Sequence, residues 1–136
     1  MPKRILPLLS LAFVTALLLA ACGGGGGTDL ADLATRAAGV EPSTSLSISA
    51  RSVKFDKDTL VAKADADVVV RFENRDGGVN HNVAVYTDSS ARTNLFRGDL
   101  FEGERTMEYR FRAPAAGVYY FRCDAHPNMN GAFITK

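Results

Sequence analysis

From Leu46 onward the chain consists of short segments in which apolar and polar residues alternate, each bounded by turn-forming residues. Such alternation is typical of strands with one buried face, because successive side chains on a strand point to opposite sides. The pattern predicts eight strands, at residues 46–50, 53–55, 59–63, 68–73, 81–86, 106–112, 118–123 and 131–135. Turn residues separate them at a spacing that suits a two-sheet sandwich. We therefore expect an all-β domain; residues 87–104 are less regular, and a short helix, an edge strand and a loop all stay open there.

The same periodicity predicts which side chains face the core. In the segment 118–123, Cys123 shares a face with Phe121, whereas Tyr120 lies on the other face. In the segment 81–86, His81 shares a face with Val83. We expect the side chains of both His81 and Cys123 to point inward.

The first residues of the chain are typical of an export signal. Lys3 and Arg4 form a positive start, and an apolar run follows at residues 5–19, shorter than the roughly 20 apolar residues that a membrane-spanning helix needs. The run ends in Leu19-Ala20-Ala21-Cys22, which resembles a bacterial lipobox. We predict a lipoprotein signal peptide at residues 1–21 and a lipid on Cys22, so that the exported protein is anchored to a bacterial membrane and faces the periplasm or the cell exterior. Ordinary secretory cleavage, with Cys22 unmodified, is the alternative.

Small and polar residues follow Cys22. Five glycines occupy 23–27, and residues 28–45 show only a weak helical spacing of Leu30, Leu33, Ala34 and Ala37. We therefore predict a flexible linker at 22–45, with a root-mean-square reach of about 25 to 30 Å, and a domain at 46–136.

The charges of the chain are balanced. Lys and Arg number 16 and Asp and Glu 15, so the basic stripe that nucleic-acid binding requires is not expected. No one-sided run of charge marks a docking face for a partner. A length of 136 residues suits one ordinary domain.

The residues that can bind a metal are few. The chain contains two histidines and two cysteines. If Cys22 carries a lipid, Cys123 has no partner for an internal disulfide, and a free thiol in an oxidising compartment requires an explanation. Cys123, His126 and Met129 place a thiolate, an imidazole and a thioether within seven residues, and these donors suit copper in either oxidation state. A turn could fold them together, and His81 would complete the set from a neighbouring strand.

These residues resemble the cupredoxins. The segment 123–131 is similar to the short Cys-x2-His-Pro-x-Met-x-Gly loop of amicyanin and plastocyanin-like domains, His81-Asn82 matches the upstream His-Asn pair of the family, and 118–123 matches its aromatic strand. The resemblance covers residues 46–136. It implies a two-sheet Greek-key β-sandwich that holds one type 1 copper through His81, Cys123 and His126, with Met129 as a weak axial ligand. It also implies that Asn82 braces the ligand loop by hydrogen bonding.

The resemblance implies electron transfer as the function. A site that fixes two imidazoles and a thiolate in a plane, with a distant thioether, accepts both oxidation states of copper with little rearrangement. We expect a monomer, not an enzyme, that shuttles one electron between membrane-associated redox partners such as cytochromes or a membrane oxidase or reductase. In the family the ring edge of the second histidine, here His126, lies near the surface.

Other functions would use overlapping residues. An extracytoplasmic copper carrier or chaperone would share the ligands, although such proteins often expose several methionines and the domain has only Met107 and Met129. Cys123 could in principle be a nucleophile, but an inward-facing cysteine is poorly placed for a substrate. A multicopper enzyme needs further histidines, and none remain after His81 and His126. A structural zinc site would accept cysteine and histidine but seldom a thioether.

Overall fold

The computed structural model describes residues 28–136. The predicted signal peptide, the predicted lipidation site Cys22 and the glycines at 23–27 lie outside the described residues. One helix and ten strands follow in chain order: α1 (Leu30–Arg36), β1 (Ser45–Ala50), β2 (Thr59–Ala62), β3 (Asp67–Asn74), β4 (Asn80–His81), β5 (Ala84–Tyr86), β6 (Asn94–Arg97), β7 (Phe101–Glu102), β8 (Arg105–Arg112), β9 (Gly117–Arg122) and β10 (Asn130–Thr135).

The strands form two main sheets and a small ribbon. One sheet has the order β1-β3-β8, the other has the order β2-β10-β9-β5-β6, and β4 pairs with β7. β1 runs parallel to β3 and β2 runs parallel to β10, whereas the other neighbours are antiparallel. The main core cluster takes Ile48 and Phe72 from the first sheet and Phe121 and Phe133 from the second. The predicted all-β sandwich is therefore confirmed.

Two predicted segments differ from the structure. Residues 53–55 do not form a strand, because Ser52 and Val53 adopt positive φ angles of 54° and 56° that interrupt the extended backbone, and the segment keeps only an isolated bridge between Phe55 and Ala50. The segment 81–86 is divided into β4 and β5. Residues 87–104, left open by the sequence, contain the edge strand β6 and the short strand β7.

At residues 30–36 the structure differs from the flexible linker predicted at 22–45. Residues 30–36 form α1, whose first turn is capped by the side chain of Asp29. Leu33 is buried in a cluster that includes Val61 and Ile134, on the outer face of the five-stranded sheet. A short helix such as this one is stable only when an apolar face is packed, and the sheet supplies that surface. The folded domain therefore includes α1 and begins before residue 46.

The helix runs along β10. Lys136, which follows β10, donates hydrogen bonds from Nζ to the backbone oxygens of Ala37, Ala38 and Val40, just beyond the end of the helix. A cation at this position is favourable because the last carbonyls of a helix carry partial negative charge. Among residues 28–136, no helix has the length and apolar character needed to cross a bilayer.

Candidate metal centre

Three donor atoms from distant parts of the chain meet at one point. Sγ of Cys123 lies 3.6 Å from Nδ1 of His81 and 3.8 Å from Nδ1 of His126, and the two Nδ1 atoms are 3.2 Å apart. A point equidistant from these three atoms lies about 2 Å from each, which is close to the bond lengths of a first-row metal ion to imidazole and thiolate. The three side chains therefore form a donor set of the right size for one ion.

The two sides of the central strands follow the predicted alternation. Val83 and Val85 belong to the main core cluster together with Cys123. Ala84 and Tyr86 lie on the opposite face, in a separate cluster. The prediction that His81 and Cys123 point inward is consistent with their burial, because neither residue exposes any surface.

His81 lies in β4, opposite Phe101 of β7, and both nitrogens of its ring have partners. Nδ1 faces Cys123, while Nε2 lies 2.9 Å from Oδ2 of Asp76. With Nδ1 available as a ligand, Nε2 carries the proton and donates to the carboxylate. Metal-binding histidines commonly have such an acceptor, which fixes the ring orientation and increases the electron density of the ring.

The Asp76 carboxylate is held in place by the backbone. The consecutive amides of Ser52 and Val53 donate to its two oxygens, at 2.6 Å and 2.9 Å. The hydrogen bond from Val53 contributes most to lowering the pKa of Asp76 below its usual value, against the opposing effect of burial, and those from Ser52 and His81 add to it. Asp76 is therefore negatively charged beside His81 at neutral pH.

The ligand loop is short and closed by its own backbone. Cys123 follows directly after β9, and its amide donates to the carbonyl of Met129 at 2.9 Å, while the amide of Met129 donates to the carbonyl of His126 at 2.8 Å. Gly131 follows the loop, where a Cβ atom would lie 2.1 Å from the carbonyl oxygen of Asp58. A side chain is excluded at this position by that close approach, which explains the glycine in the loop motif.

Met129 and His126 occupy different depths. Met129 is buried and belongs to the same core cluster as Cys123. His126 is half-buried, and its neighbours Ala125 and Pro127 are exposed. One edge of the centre is therefore close to the surface and its other side is enclosed by the core.

Asn82 connects the two chain segments that carry the ligands. Its Oδ1 accepts a hydrogen bond from the amide of Asp124 at 2.8 Å, and its Nδ2 donates to the carbonyl of Gly98 at 2.9 Å. The side chain is buried, so these bonds are shielded from competing water. The contact that the resemblance implies between Asn82 and the ligand loop is present in the structure.

The residue after the cysteine is the centre of a polar cluster. Asp124 accepts hydrogen bonds from the hydroxyl of Tyr86 at 2.5 Å and from Nε of Arg122 at 3.2 Å, and it forms an ion pair with Arg97 at 2.9 Å. Burial raises the pKa of Asp124, but the hydrogen bonds from Tyr86 and Asn82, with the charge of Arg97, outweigh this and leave the pKa lowered. The cluster anchors the first turn of the ligand loop from the solvent side.

Sequence reasoning missed two acidic residues of this site. Asp76 contacts the ring of His81, and Asp124 contacts Asn82 next to Cys123, but neither residue is among the site residues that the sequence predicts. The available signal was that Asp76 lies five positions before His81 in the sequence. The contact between the two side chains also depends on the backbone of Ser52 and Val53, which holds the Asp76 carboxylate. Within the described part of the chain, the ligand atoms of His81, Cys123 and His126 all lie within 4.8 Å of one another, close enough to bind a single metal ion.

The comparisons with known proteins agree with this geometry. No family model matches the chain. Auracyanin-A of Chloroflexus aurantiacus is 28% identical over 163 aligned positions, which cover 98% of this chain and 99% of that protein. In the solved structure of auracyanin A, described as a "blue" copper protein, the match covers 71% of this chain and all of that chain at 23% identity, with a TM-score of 0.60.

Two further solved structures share the architecture. Reduced auracyanin from Roseiflexus castenholzii gives a TM-score of 0.64 at 18% identity, covering 71% of this chain and 99% of that one. Amicyanin from Paracoccus versutus gives 0.52 at 23% identity, covering 80% and 90%. The cupredoxin resemblance and the cupredoxin fold are thereby confirmed, and the four residues His81, Cys123, His126 and Met129 form a cluster like a type 1 copper site.

Proposed function

We propose that this chain, which has the cupredoxin fold, is an electron carrier that binds one type 1 copper ion and passes one electron at a time. His81, Cys123 and His126 would hold the ion, and the thioether of Met129 would be a fourth, weaker ligand. The observation that carries the proposal is the convergence of the three donor atoms on a point about 2 Å from each, because that spacing suits a single first-row metal ion. Copper, when bound, supplies the one-electron change between its two oxidation states.

The protein groups around the donors favour electron exchange over substrate chemistry. His81 and Cys123 are fully buried, so a substrate has no access to them from the solvent. Hydrogen bonds from both sides restrict the ligands: Asp76 orients the ring of His81, and Asn82 holds the backbone next to Cys123. Restricted ligands change little between oxidation states, which keeps the energetic cost of each transfer small. The half-buried ring of His126 is the route for the electron to the surface.

The predicted lipid on Cys22 would hold this carrier at a membrane, outside the cytoplasm. Its partners would be membrane-associated redox proteins, such as cytochromes or a membrane oxidase or reductase. Exported compartments are oxidising, and the described residues contain no second thiol with which Cys123 could form a disulfide. A bound metal would account for a free cysteine in such a compartment.

The test is to add copper(II) to the purified Cys22→Ser protein and record its visible and electron-paramagnetic spectra. We expect one copper per chain and intense absorption from thiolate-to-copper charge transfer. The absorption should be lost in Cys123→Ser and kept in the control Met107→Leu, which alters a partly buried methionine outside the donor set.

Two results would count against the proposal. A colourless protein that prefers zinc would show that the donors form a structural site. A copper protein without a reversible one-electron couple would favour the alternative function, extracytoplasmic delivery of copper.

A further inference from the structure

The chain enters the folded domain at the metal centre. Thr28, the first described residue, donates a hydrogen bond from its hydroxyl to Oδ1 of Asn130. Nδ2 of Asn130 in turn donates to the carbonyl of Pro127 at 2.8 Å, and Pro127 directly follows His126. Only one intervening side chain separates the entry point from the ligand loop.

The helix α1 fixes this arrangement. Near its start, Leu30 packs against the cluster of Ala84, Tyr86 and Tyr120, at the end of the sheet from which the ligand loop leaves. Beyond its other end, the carbonyl of Val40 accepts a hydrogen bond from Lys136, which follows β10. The six residues of β10 separate these two ends by about 17 Å. The domain therefore has a metal end, where the chain enters, and a far end, marked by Lys136.

The helix also shortens the connection to the predicted lipid. Cys22 precedes Thr28 by six positions, so the chain between them can span at most about 22 Å, whatever its conformation. A free linker up to residue 45 would have allowed the domain to turn in any direction. With the short connection attached beside the ligand loop, Thr28 cannot move further than that span from the lipidated residue, and the metal end is held on the side of the domain that the tether leaves.

We propose that, in the lipidated protein, the metal end of the domain faces the bilayer, and that its partner is a membrane-embedded redox protein whose electron-exchanging group lies near the membrane surface. This inference rests on the proposed function and on the predicted lipid at Cys22. Ala125 and Pro127, both exposed beside His126, supply small apolar contacts for such a partner. A partner embedded in the same bilayer is within reach of an end confined in this way.

The orientation can be tested with the full-length lipidated protein, loaded with copper, in liposomes whose headgroups carry a red-emitting fluorophore. Oxidised type 1 copper absorbs in this range and quenches a nearby fluorophore, and reduction by ascorbate removes the quenching. The matched control carries Cys22→Ser and is attached to lipid through a cysteine placed after five glycines added beyond Lys136. This control has the same domain and an equally short tether, but the tether leaves from the far end.

We expect strong redox-dependent quenching for the native anchor and a loss of most of it for the far-end anchor. Insertion of 20 Gly and Ser residues between Gly27 and Thr28 should also reduce the quenching. Equal quenching by the native and far-end proteins would overturn the inference. The blue absorption of each sample separates this failure from a failure of the proposed function, because a protein without copper absorption cannot quench in any orientation.

The kind of partner can be tested with the same samples. A lipid that bears a ferrocenium headgroup accepts one electron from copper(I), leaving copper(II) and ferrocene, and imitates a redox group at the membrane surface. We expect faster oxidation of the native protein than of the far-end protein by this lipid, and equal rates with soluble ferricyanide. Equal rates with the lipid, or a native protein that reacts faster only with ferricyanide, would contradict a membrane-embedded partner.

Discussion

Nε2 of His81 lies 2.9 Å from a carboxylate oxygen of Asp76, while Nδ1 of the same ring faces the sulfur of Cys123 at 3.6 Å. The imidazole thus connects a fixed negative charge to the donor set. A hydrogen-bonded carboxylate makes the ring a stronger electron donor, and a stronger donor favours the more highly charged copper(II) ion. Asp76 should therefore lower the reduction potential of the bound copper.

Replacing Asp76 by Asn should raise the reduction potential. The substitution keeps the shape of the side chain but removes its charge. If the affinity for copper(II) falls 10- to 100-fold while the affinity for copper(I) is unchanged, the reduction potential rises by about 60 to 120 mV. A redox titration of the blue absorption measures the shift. Asp67→Asn is the matched control, because its side chain is 90% exposed and it lies at the start of β3, whereas Asp76 follows the other end of that strand. Similar shifts in both variants would mean that overall charge, and not the contact with His81, sets the potential.

Replacing Met129 by Leu should also raise the potential, because a thioether donor stabilises copper(II) more than a hydrocarbon does. The expected rise is about 60 mV or more, equivalent to a tenfold change in relative affinity. The control is Met107→Leu, which makes the same chemical change in a residue packed against the core from β8. If voltammetry finds no difference between the two variants, Met129 is a packing residue and not a ligand.

Replacing Asn82 by Ala should loosen the ligand loop. The amide of Asp124 would lose its acceptor and the carbonyl of Gly98 its donor, both in buried surroundings, at a cost of about 1 to 3 kcal/mol in the free energy of unfolding. Denaturant unfolding of the copper-free protein measures this cost. Asn80→Ala, an exposed neighbour in β4, should change stability little. A loss of the same size in both variants would argue against the bracing role of Asn82.

Replacing Leu33 by Ala should destabilise the domain by about 2 to 4 kcal/mol, because the buried side chain fills the space between α1 and the sheet. A flexible linker would tolerate the change without effect. The control is Val40→Ala, since Val40 is 49% exposed and its truncation should cost about 0.5 kcal/mol or less. Equal stabilities of the two variants would restore the linker interpretation of this segment.

Tyr109 should make the domain sensitive to alkali. Burial raises the pKa of Tyr109 well above its ordinary value, and its hydroxyl donates to the carbonyl of Asp99 at 2.7 Å. In the unfolded chain the tyrosine hydroxyl ionises at a pH of about 10, whereas in the folded protein it ionises only at higher pH. Raising the pH above about 10 therefore favours the unfolded chain, and the free energy of unfolding falls progressively. Guanidine unfolding should therefore show a steeper loss of stability between pH 9 and 11 than in Tyr109→Phe. Parallel curves for the two proteins would contradict this assignment.

The donor set was predictable because it depends on local rules. The period of two places Cys123 and His81 on inward faces, and the spacing to His126 and Met129 lies within one short loop. The surrounding carboxylates were not predictable in this way. Asp76 reaches His81 only because two residues from another part of the chain adopt positive φ angles and present their amides to it. Such a contact depends on the tertiary fold, which a pattern along one segment does not contain.

The helix was missed for a related reason. Its spacing of Leu30, Leu33 and Ala37 is visible, but a seven-residue helix has little stability of its own, so the decision depends on whether a surface is available to cover it. That surface consists of Val61 and Ile134, which are distant in sequence. The segment 81–86 is difficult to predict for a similar reason. All six of its residues are buried, so its alternating side chains face two different hydrophobic clusters and not a core on one side and solvent on the other.

The two sheets consequently face different mutational constraints. β3 alternates between buried and exposed positions, so half of its residues can change without entering the interior. β5 and most of β10 are buried on both faces. One face of each strand packs against the main core, and the opposite face is covered by α1 or by residues next to it. Substitutions will therefore accumulate on the outer side of the three-stranded sheet, while the strands around the cysteine tolerate few replacements and retain their ligand positions as the rest of the surface diverges.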